Sequence, residues 1–151
     1  MLNKILILFL IILNNFIFSN SFSNDQLNFD VTEIEILDGG NKIKGKKRGT
    51  ITTNNGIIIS ADEFEYNKIN NILSENGNIK IEDKLNNYNI LSENVTYFKN
   101  NEKIEINGKS NSLIYSKYNF KTEDIIILRD QLIIKSDKAA TIIDEKNQTL
   151  Y

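Results

Sequence analysis

A change of alternation inside single predicted strands is the feature of this sequence that most restricts its fold. In the segment 57–66, apolar residues occupy Ile57, Ile59 and Ala61, the period-two pattern of a half-buried strand. The pattern then resumes at Phe64 and Tyr66, on the opposite parity. A straight strand cannot place both sets on one face. We therefore predict that the strand bulges or turns a corner between Ala61 and Phe64 and crosses there from one sheet to another.

The same pattern recurs along the chain, usually with a small residue and a carboxylate at the change of parity. The copies are Phe29, Val31, Ile34, Ile36; Ile90, Ser92, Glu93, Val95, Tyr97; Phe120, Thr122, Glu123, Ile125, Ile127; and a shorter one, Ile134, Ser136, Asp137, Ala139, Thr141. The leading residues 29, 59, 90 and 120 are 30, 31 and 30 positions apart. A repeat whose unit cannot bury its own apolar face indicates a stacked, one-dimensional β structure.

Turn-forming residues divide the repeats into strands. Asn residues, which tolerate the positive φ of tight hairpins, stand in pairs at 70–71, 86–87 and 100–101 and in the Asn-Asn-Gly sequence at 54–56. The predicted strands run roughly over 29–37, 42–53, 57–69, 72–85, 88–99, 102–116, 119–129 and 132–144. Gly beside alternating Ile residues, as at Gly77 and Gly108, predicts a bend or a close backbone approach. No window after the N-terminal segment shows an apolar helical period with caps, so no helix is predicted there.

The N-terminus has the layout of a secretory signal peptide. One cation, Lys4, precedes an unbroken apolar run over 5–13, and small polar residues follow. The run is short for a bilayer span, so a permanent membrane anchor is the less favoured alternative. The predicted division is a signal peptide over 1–21, a disordered lead over 22–28 and a β domain over 29–151. This domain ends as a new strand begins, as a truncated domain would; the cleavage site stays open.

Composition argues against several kinds of chemistry. Once Lys4 is removed with the signal peptide, 17 of the 18 cations face 20 carboxylates, so no nucleic-acid partner is expected. The chain has no Cys and no His, which removes disulfides and the usual nucleophiles, general bases and zinc ligands. No catalytic residue, metal or cofactor is therefore expected, and the protein is predicted not to be an enzyme.

One group of residues resembles the signature of a known family, in which an aliphatic residue, Ala-Asp, an apolar residue and Tyr are followed after a turn by Gly-Asn-Val/Ile. The residues that match this signature are Ile59, Ala61, Asp62, Phe64, Tyr66, Gly77, Asn78 and Ile79. The next copy of the signature is matched more loosely, by Ser92, Glu93, Val95 and Tyr97. The family is the organic-solvent-tolerance (OstA-like) domain of lipopolysaccharide transport and outer-membrane assembly, LptA-like or the N-terminal domain of LptD. The resemblance covers about residues 29 to 144.

The resemblance implies an all-β, repeat-built β-jellyroll shaped like a twisted V, whose apolar interior binds the acyl chains of lipopolysaccharide. It implies a periplasmic place in the Gram-negative envelope, possible association with the outer membrane, and other OstA-like domains as partners through edge-strand pairing. The candidate lipid-binding residues are Ile57, Ile59, Phe64, Tyr66, Ile79, Ile81, Ile90, Val95, Tyr97, Ile104 and Ile106. A small bridge protein and the leading domain of a barrel protein both fit; oligomeric state and lipid specificity stay open.

Several patterns allow two interpretations. Alternation fits an ordinary closed core as well as a lipid groove, and it leaves open which parity faces inward. The basic run over 42–48 fits phosphate binding or a solvated strand end. The carboxylates Asp62, Glu93, Glu123 and Asp137 fit acceptors for N–H groups freed by a bulge. The alternative function is a secreted β-solenoid or β-helix protein that acts on or binds polysaccharide, which a concave cluster of these carboxylates would favour.

Overall fold

Strands account for most of residues 27–150, which the computed structural model describes apart from the side chain of Leu150. They are β1 Asn28–Leu37, β2 Lys42–Thr52, β3 Ile57–Ala61, β4 Glu63–Asn67, β5 Ile72–Asp83, β6 Tyr88–Phe98, β7 Lys103–Ile114, β8 Tyr118–Leu128, β9 Ile133–Lys135, β10 Thr141–Ile143 and β11 Thr149–Leu150. Over the same range, helical structure is limited to single 3-10 turns, and no helix there is long and apolar enough to cross a membrane.

The predicted N-terminal division falls mainly outside the described residues. The signal peptide over 1–21 and the first part of the lead over 22–28 lie in the undescribed segment. Within the lead, Leu27 is buried against the core and Asn28 begins β1.

All eleven strands belong to one antiparallel sheet, with the order β1-β2-β3-β5-β6-β7-β8-β10-β11. β4 continues β3 after a break at Asp62. β9 pairs with the C-terminal end of β8, and β10 pairs with its N-terminal end. The prediction of an all-β jellyroll is confirmed. The strand predicted over 132–144 is instead two short strands, β9 and β10, because the segment 136–140 between them is not paired.

A bend crosses the sheet where the alternation changes parity. The register shifts lie between Val31 and Glu33, Asn76 and Ile79, Leu91 and Val95, and Asn107 and Ser110, in line with the break at Asp62. The predicted corner is therefore confirmed. The predicted crossing into a second sheet is wrong: β3 and β4 both pair with β2 and β5. A bulge bends the ladder without ending it, so both halves of the strand keep their neighbours.

Glycines permit the bend and a close approach of strands. Gly77 and Gly108 lie in the bulges with φ of 78° and 92°, a conformation that other residues adopt at a cost. A Cβ atom on Gly77 would lie 2.9 Å from Asp62 Oδ2. At Gly49 a Cβ atom would lie 2.3 Å from Val31 Cγ1, so β1 and β2 pack closely there. The predicted bend at Gly77 and Gly108 is confirmed.

The bend divides the sheet into two wings. The first wing contains β3, the second contains β4, and the long strands β2 and β5–β8 each contribute one half to each wing. The inward side chains of both wings form one apolar cluster. Phe29 of the first wing contacts Tyr66 of the second, with ring centroids 6.1 Å apart. The wings therefore fold toward each other as the two arms of a V.

Candidate functional site

The interior of the first wing is built from neighbouring strands that place isoleucines side by side. Ile59 lies opposite Ile81, and Ile81 lies opposite Ile90. All three are fully buried, as are Ile57 and Ile79 near the ends of the same wing. Alternation puts one side chain of every two on this face, so a few strands suffice to make a continuous apolar surface.

The interior of the second wing carries larger side chains. One cross-strand row runs through Phe64, Glu75, Val95, Ile106 and Ile125. The next row runs through Tyr66, Leu73, Tyr97, Ile104 and Ile127. Except for Glu75, these ten residues belong to the apolar cluster.

The structure brings all eleven predicted candidates together. Each is buried in the one apolar cluster: Ile57, Ile59, Ile79, Ile81 and Ile90 in the first wing, and Phe64, Tyr66, Val95, Tyr97, Ile104 and Ile106 in the second. Both parities face inward along β3 and β4, one in each wing: odd-numbered residues such as Ile59 in β3, before the bend, and even-numbered residues such as Phe64 in β4, after it. Their role in lipid binding stays a prediction and is taken up as a proposal below.

Sequence reasoning missed other members of the interior. The buried apolar residues outside the candidate set are Leu27, Ile51, Ala61, Leu73, Tyr88, Ile114, Ile125 and Ile127. Ile125 and Ile127 belong to a copy of the repeat, so the repeat itself is the signal that identifies them. Leu73 is followed at the same parity by Glu75 and Gly77, so no apolar alternation marks it. Tyr88 extends the alternation of Ile90 and Ser92 by one step, which is the signal that could have identified it.

The inward face continues past the core to an uncovered edge. Ile34 and Ile36 of β1 pair with Gly45 and Ile43, on the inward side of the second wing. They are nevertheless 48% and 67% exposed. Among residues 27–150, β1 is the first strand of the sheet order and pairs only with β2. An apolar interior therefore reaches the surface at an unpaired strand edge.

A polar clasp closes the mouth between the wings, which is the gap between the ends of the two wings away from the bend. The clasp is formed by Asn55, Asp83, Tyr97, Glu102 and Arg129. Arg129 Nε donates to Asp83 Oδ2 at 2.6 Å, and Arg129 Nη1 donates to Glu102 Oε2. Arg129 Nη2 donates to the carbonyl oxygen of Asn55 at 3.2 Å. The Tyr97 hydroxyl donates to Glu102 Oε1 at 2.8 Å. Asn55 lies in the turn between β2 and β3, and Asp83 ends β5, so both are at the end of the first wing. Tyr97, Glu102 and Arg129 lie at the end of the second wing, so the clasp ties the wings together.

Burial and charge pairing act against each other in the clasp. The side chains of Arg129 and Asp83 are only 5% and 0% exposed. Burial raises the pKa of Asp83, but hydrogen bonds from Arg129 and Asn86 outweigh it and hold the pKa below its ordinary value. Burial lowers the pKa of Arg129, but the hydrogen bond and charge of Asp83, together with the charge of Glu102, outweigh it and raise the pKa above its ordinary value. Both groups therefore stay ionised as a buried pair.

Glu75 is a second buried carboxyl, and no charged side chain within the described part of the chain pairs with it. It lies on the inward row between Phe64 and Val95 and is 3% exposed. Neither side-chain oxygen has a hydrogen-bond partner among the described residues. Phe64, Glu75 and Val95, with residues on the outward side such as Lys44 and Lys46, border a concave space of about 380 Å³. The clasp does not reach this carboxyl.

The carboxylates at the bend act mainly as structural acceptors. Glu93 Oε2 accepts from the backbone N–H of Asn78 at 3.2 Å, as predicted. In the next copy the acceptor is Asp124 rather than Glu123, since Asp124 Oδ1 binds the Gly108 N–H at 3.0 Å. The predicted backbone partners of Asp62 are wrong.

Side chains satisfy Asp62 instead. Its two oxygens accept from Arg48 Nη1 at 3.0 Å and from Asn78 Nδ2 at 2.6 Å. Those two hydrogen bonds hold the pKa of Asp62 below its ordinary value, the Asn78 bond most strongly. At the last copy, Ser136 Oγ accepts the Lys138 N–H at 3.1 Å. Within residues 27–150, no cluster of three or more acidic side chains that could hold a metal ion is found.

The basic run over 42–48 is matched by acidic side chains. Its five ion pairs are Lys42–Asp38 at 3.3 Å, Lys44–Glu65 at 3.1 Å, Lys46–Glu35 at 3.1 Å, Lys47–Glu33 at 3.2 Å and Arg48–Asp62 at 3.0 Å. These side chains are largely exposed, so each pair contributes little to stability. The arrangement favours a solvated strand surface over a phosphate site.

Comparison with known proteins gives a match at the level of the fold. No model of a known protein family matches the sequence, and no curated protein matches it. A solved structure that matches is that of LptH, the LptA homologous periplasmic component of the conserved lipopolysaccharide transport device from Pseudomonas aeruginosa, with a TM-score of 0.68. The chain has an LptA-like fold. The match covers 76% of this chain and 84% of LptH, and the two sequences are 11% identical.

The candidate site depends on two kinds of feature of this chain. The bend across the sheet and the apolar interior between the wings follow from its strand pairing and from the alternation of its apolar residues. The Arg129 clasp and the Glu75 carboxyl depend on particular side chains of this chain.

Proposed function

We propose that this chain is an exported lipopolysaccharide-transport domain that binds acyl chains between its wings, without chemical turnover. The observation that carries the proposal is an apolar inward face that continues from the buried core to the uncovered edge at Ile34 and Ile36. The LptA-like fold supports it, because LptH is a periplasmic component of a lipopolysaccharide transport device. The eleven buried candidates are the proposed lining.

The proposed location is the periplasm, reached by means of the signal peptide predicted over 1–21. There the domain would form part of the bridge to the outer membrane, as a small bridge protein or as the leading domain of the assembly barrel. The proposed partners are lipopolysaccharide and other OstA-like domains. The unpaired edge of β1 supports the second kind of partner, since an added strand would complete its hydrogen bonds and cover Ile34 and Ile36.

Site-specific photo-crosslinking tests the lipid-binding proposal. Photoreactive residues at Phe64 or Tyr97, which point inward, are expected to capture lipopolysaccharide. The same residues at Glu65 or Thr96, their outward neighbours on β4 and β6, are the matched controls and are expected not to capture it.

The four positions separate the possible results. Capture at the two inward positions alone supports an acyl-chain groove. Equal capture at all four would show contact with the outer surface and contradict the proposal. Capture at none, with the circular dichroism of each variant still β-rich, would show that the interior is an ordinary closed core.

A further inference from the structure

The carboxyl group of Glu75 is a polar group in an otherwise apolar inward row of the second wing. Its row neighbours in the second wing are Phe64 on one side and Val95 on the other, followed by Ile106. All of these side chains are buried. A polar group in such a row is expected to have a hydrogen-bond partner, because an unpaired buried polar group destabilises the fold. Among residues 27–150, neither Glu75 oxygen has one.

The surroundings of Glu75 favour its neutral form. Burial raises the pKa of Glu75 well above its ordinary value. The backbone N–H of Glu75 itself, which does not reach hydrogen-bond geometry with the carboxyl, offsets this rise only in part. No charged side chain contributes to the shift. A neutral carboxyl has one O–H donor and one carbonyl acceptor, so it is satisfied by a partner that both accepts and donates.

Few groups that enter an apolar interior meet that requirement. An ester carbonyl only accepts, a phosphate at neutral pH mainly accepts, and an ammonium only donates. An alcohol hydroxyl does both, and it adds no charge to the interior. The unpaired oxygens of Glu75 are thus complementary to a hydroxyl on an otherwise apolar chain.

We propose that Glu75 is a hydrogen-bonding site for a hydroxyl group carried on an acyl chain bound between the wings. The inference rests on the proposed function, since it requires that acyl chains occupy the interior. It adds a basis for selectivity, because the apolar rows bind any chain whereas Glu75 distinguishes a hydroxylated chain from a plain one. A site that loses a hydrogen-bonding partner discriminates more sharply than one that loses a methylene group.

Two probes that differ by one hydroxyl test the assignment. The first is the methyl ester of a saturated straight-chain fatty acid, and the second is the same ester with a hydroxyl on the chain near the ester group. Binding of each to the purified protein is measured by displacement of a fluorescent lipid probe. We expect the hydroxylated ester to bind roughly tenfold more tightly to the unaltered protein, as one or two buried hydrogen bonds would produce.

Three variants assign the preference to Glu75. In Glu75→Leu the two esters should bind equally, because the plain chain needs no polar partner. In Glu75→Gln the preference should persist, because an amide also donates and accepts. Glu65→Leu, a matched change on the outward face of β4, should leave the preference unchanged. Glu75→Leu removes an unpaired polar group from an apolar row, so it is expected to fold, which thermal unfolding checks.

The outcomes separate this inference from the proposed function. Equal binding of both esters to the unaltered protein would overturn the role of Glu75 and leave acyl-chain binding intact. A preference that survives in Glu75→Leu would likewise overturn it, because the hydroxyl would then be bound elsewhere. No binding of either ester would overturn the proposed function, and the role of Glu75 with it.

Discussion

Replacing Arg129 with methionine removes the side chain that ties the two wings together. Methionine keeps much of the length and the apolar stem of arginine, so the change isolates the guanidinium group. That group has hydrogen bonds to Asp83, to Glu102 and to the carbonyl of Asn55. The substitution therefore leaves two acidic side chains near the mouth without their cation.

The size of the effect depends on what the acidic partners retain. Breaking a buried ion pair by removing one member typically destabilises a protein by about 3 to 5 kcal/mol. Asp83 keeps hydrogen bonds from the N–H groups of Leu85 and Asn86, both at 3.1 Å, and from Asn86 Nδ2 at 2.8 Å. Glu102 keeps its bonds from Tyr97 and Asn55. We therefore expect the lower end, about 3 kcal/mol, or a Tm lowered by roughly 10 °C in a domain of this length.

Thermal and urea unfolding followed by circular dichroism in the β region measures this loss. Arg48→Met is the matched control, because Arg48 also pairs with a carboxylate, Asp62, but its side chain is 52% exposed. Its loss is expected to stay below about 1 kcal/mol. Equal destabilisation by the two substitutions would refute the assignment of the clasp as a buried, stabilising element.

The pH dependence of the same experiment gives a second check. The pKa of Asp83 lies below its ordinary value of 3.8 in the folded protein. A carboxylate of this kind stabilises the fold above its unfolded pKa, and the contribution is lost as the pH falls through the folded pKa. The difference between the unaltered protein and Arg129→Met should therefore be full at neutral pH and shrink below about pH 4. A difference that grows in acid would contradict this account.

Three further predictions address the bend, the buried carboxyl and the open edge. Ala61→Leu should destabilise the fold by about 1 to 3 kcal/mol in thermal melts, because Ala61 is fully buried at the bend, whereas Glu63→Leu at an exposed position should not. The pKa of Glu75 is raised in the folded protein, so the contribution of this carboxyl to the free energy of unfolding is full below its ordinary pKa of 4.5. That contribution is lost as the pH rises through the folded pKa. Urea unfolding should therefore show Glu75→Gln gaining stability relative to the unaltered protein above pH 4.5, and parallel pH profiles would be contrary evidence. Light scattering should show concentration-dependent oligomers that Ile34→Lys reduces and Asn28→Lys, on the outward face of β1, does not; a strict monomer at high concentration would contradict edge pairing.

The parts of the fold that local chemistry determines could be predicted from the sequence. Alternation of apolar residues depends on the strand itself, and its change of parity between Ala61 and Phe64 coincides with the observed break at Asp62. Turns were equally predictable, since Asn71 and Asn87 have positive φ values of 53° and 55°. The burial of the eleven candidate residues follows from the same alternation.

Contacts between distant parts of the chain could not be predicted in this way. Arg129 lies 46 residues from Asp83 and 74 from Asn55, and no local pattern distinguishes it from an ordinary charged residue after a strand. Glu75 was missed because a carboxylate is expected on the outward face, and its row became clear only from pairing with Phe64 and Val95. The choice of Asp124 over Glu123 depends on where the bulge falls, which alternation defines only to within a residue or two.

The clasp and the uncovered edge together indicate how an acyl chain would enter the interior under the proposed function. The mouth between the wings is closed by Arg129 and by the contact between Phe29 and Tyr66, whereas the inward face is open at Ile34. Entry at the β1 edge requires no loss of buried ion pairs, but entry through the mouth requires breaking them. In the crosslinking assay, Ile34→Lys should therefore reduce capture of lipopolysaccharide at Phe64, and Arg129→Met should leave it largely unchanged. Increased capture in Arg129→Met would instead mean that the chain enters through the mouth and that the clasp is its gate.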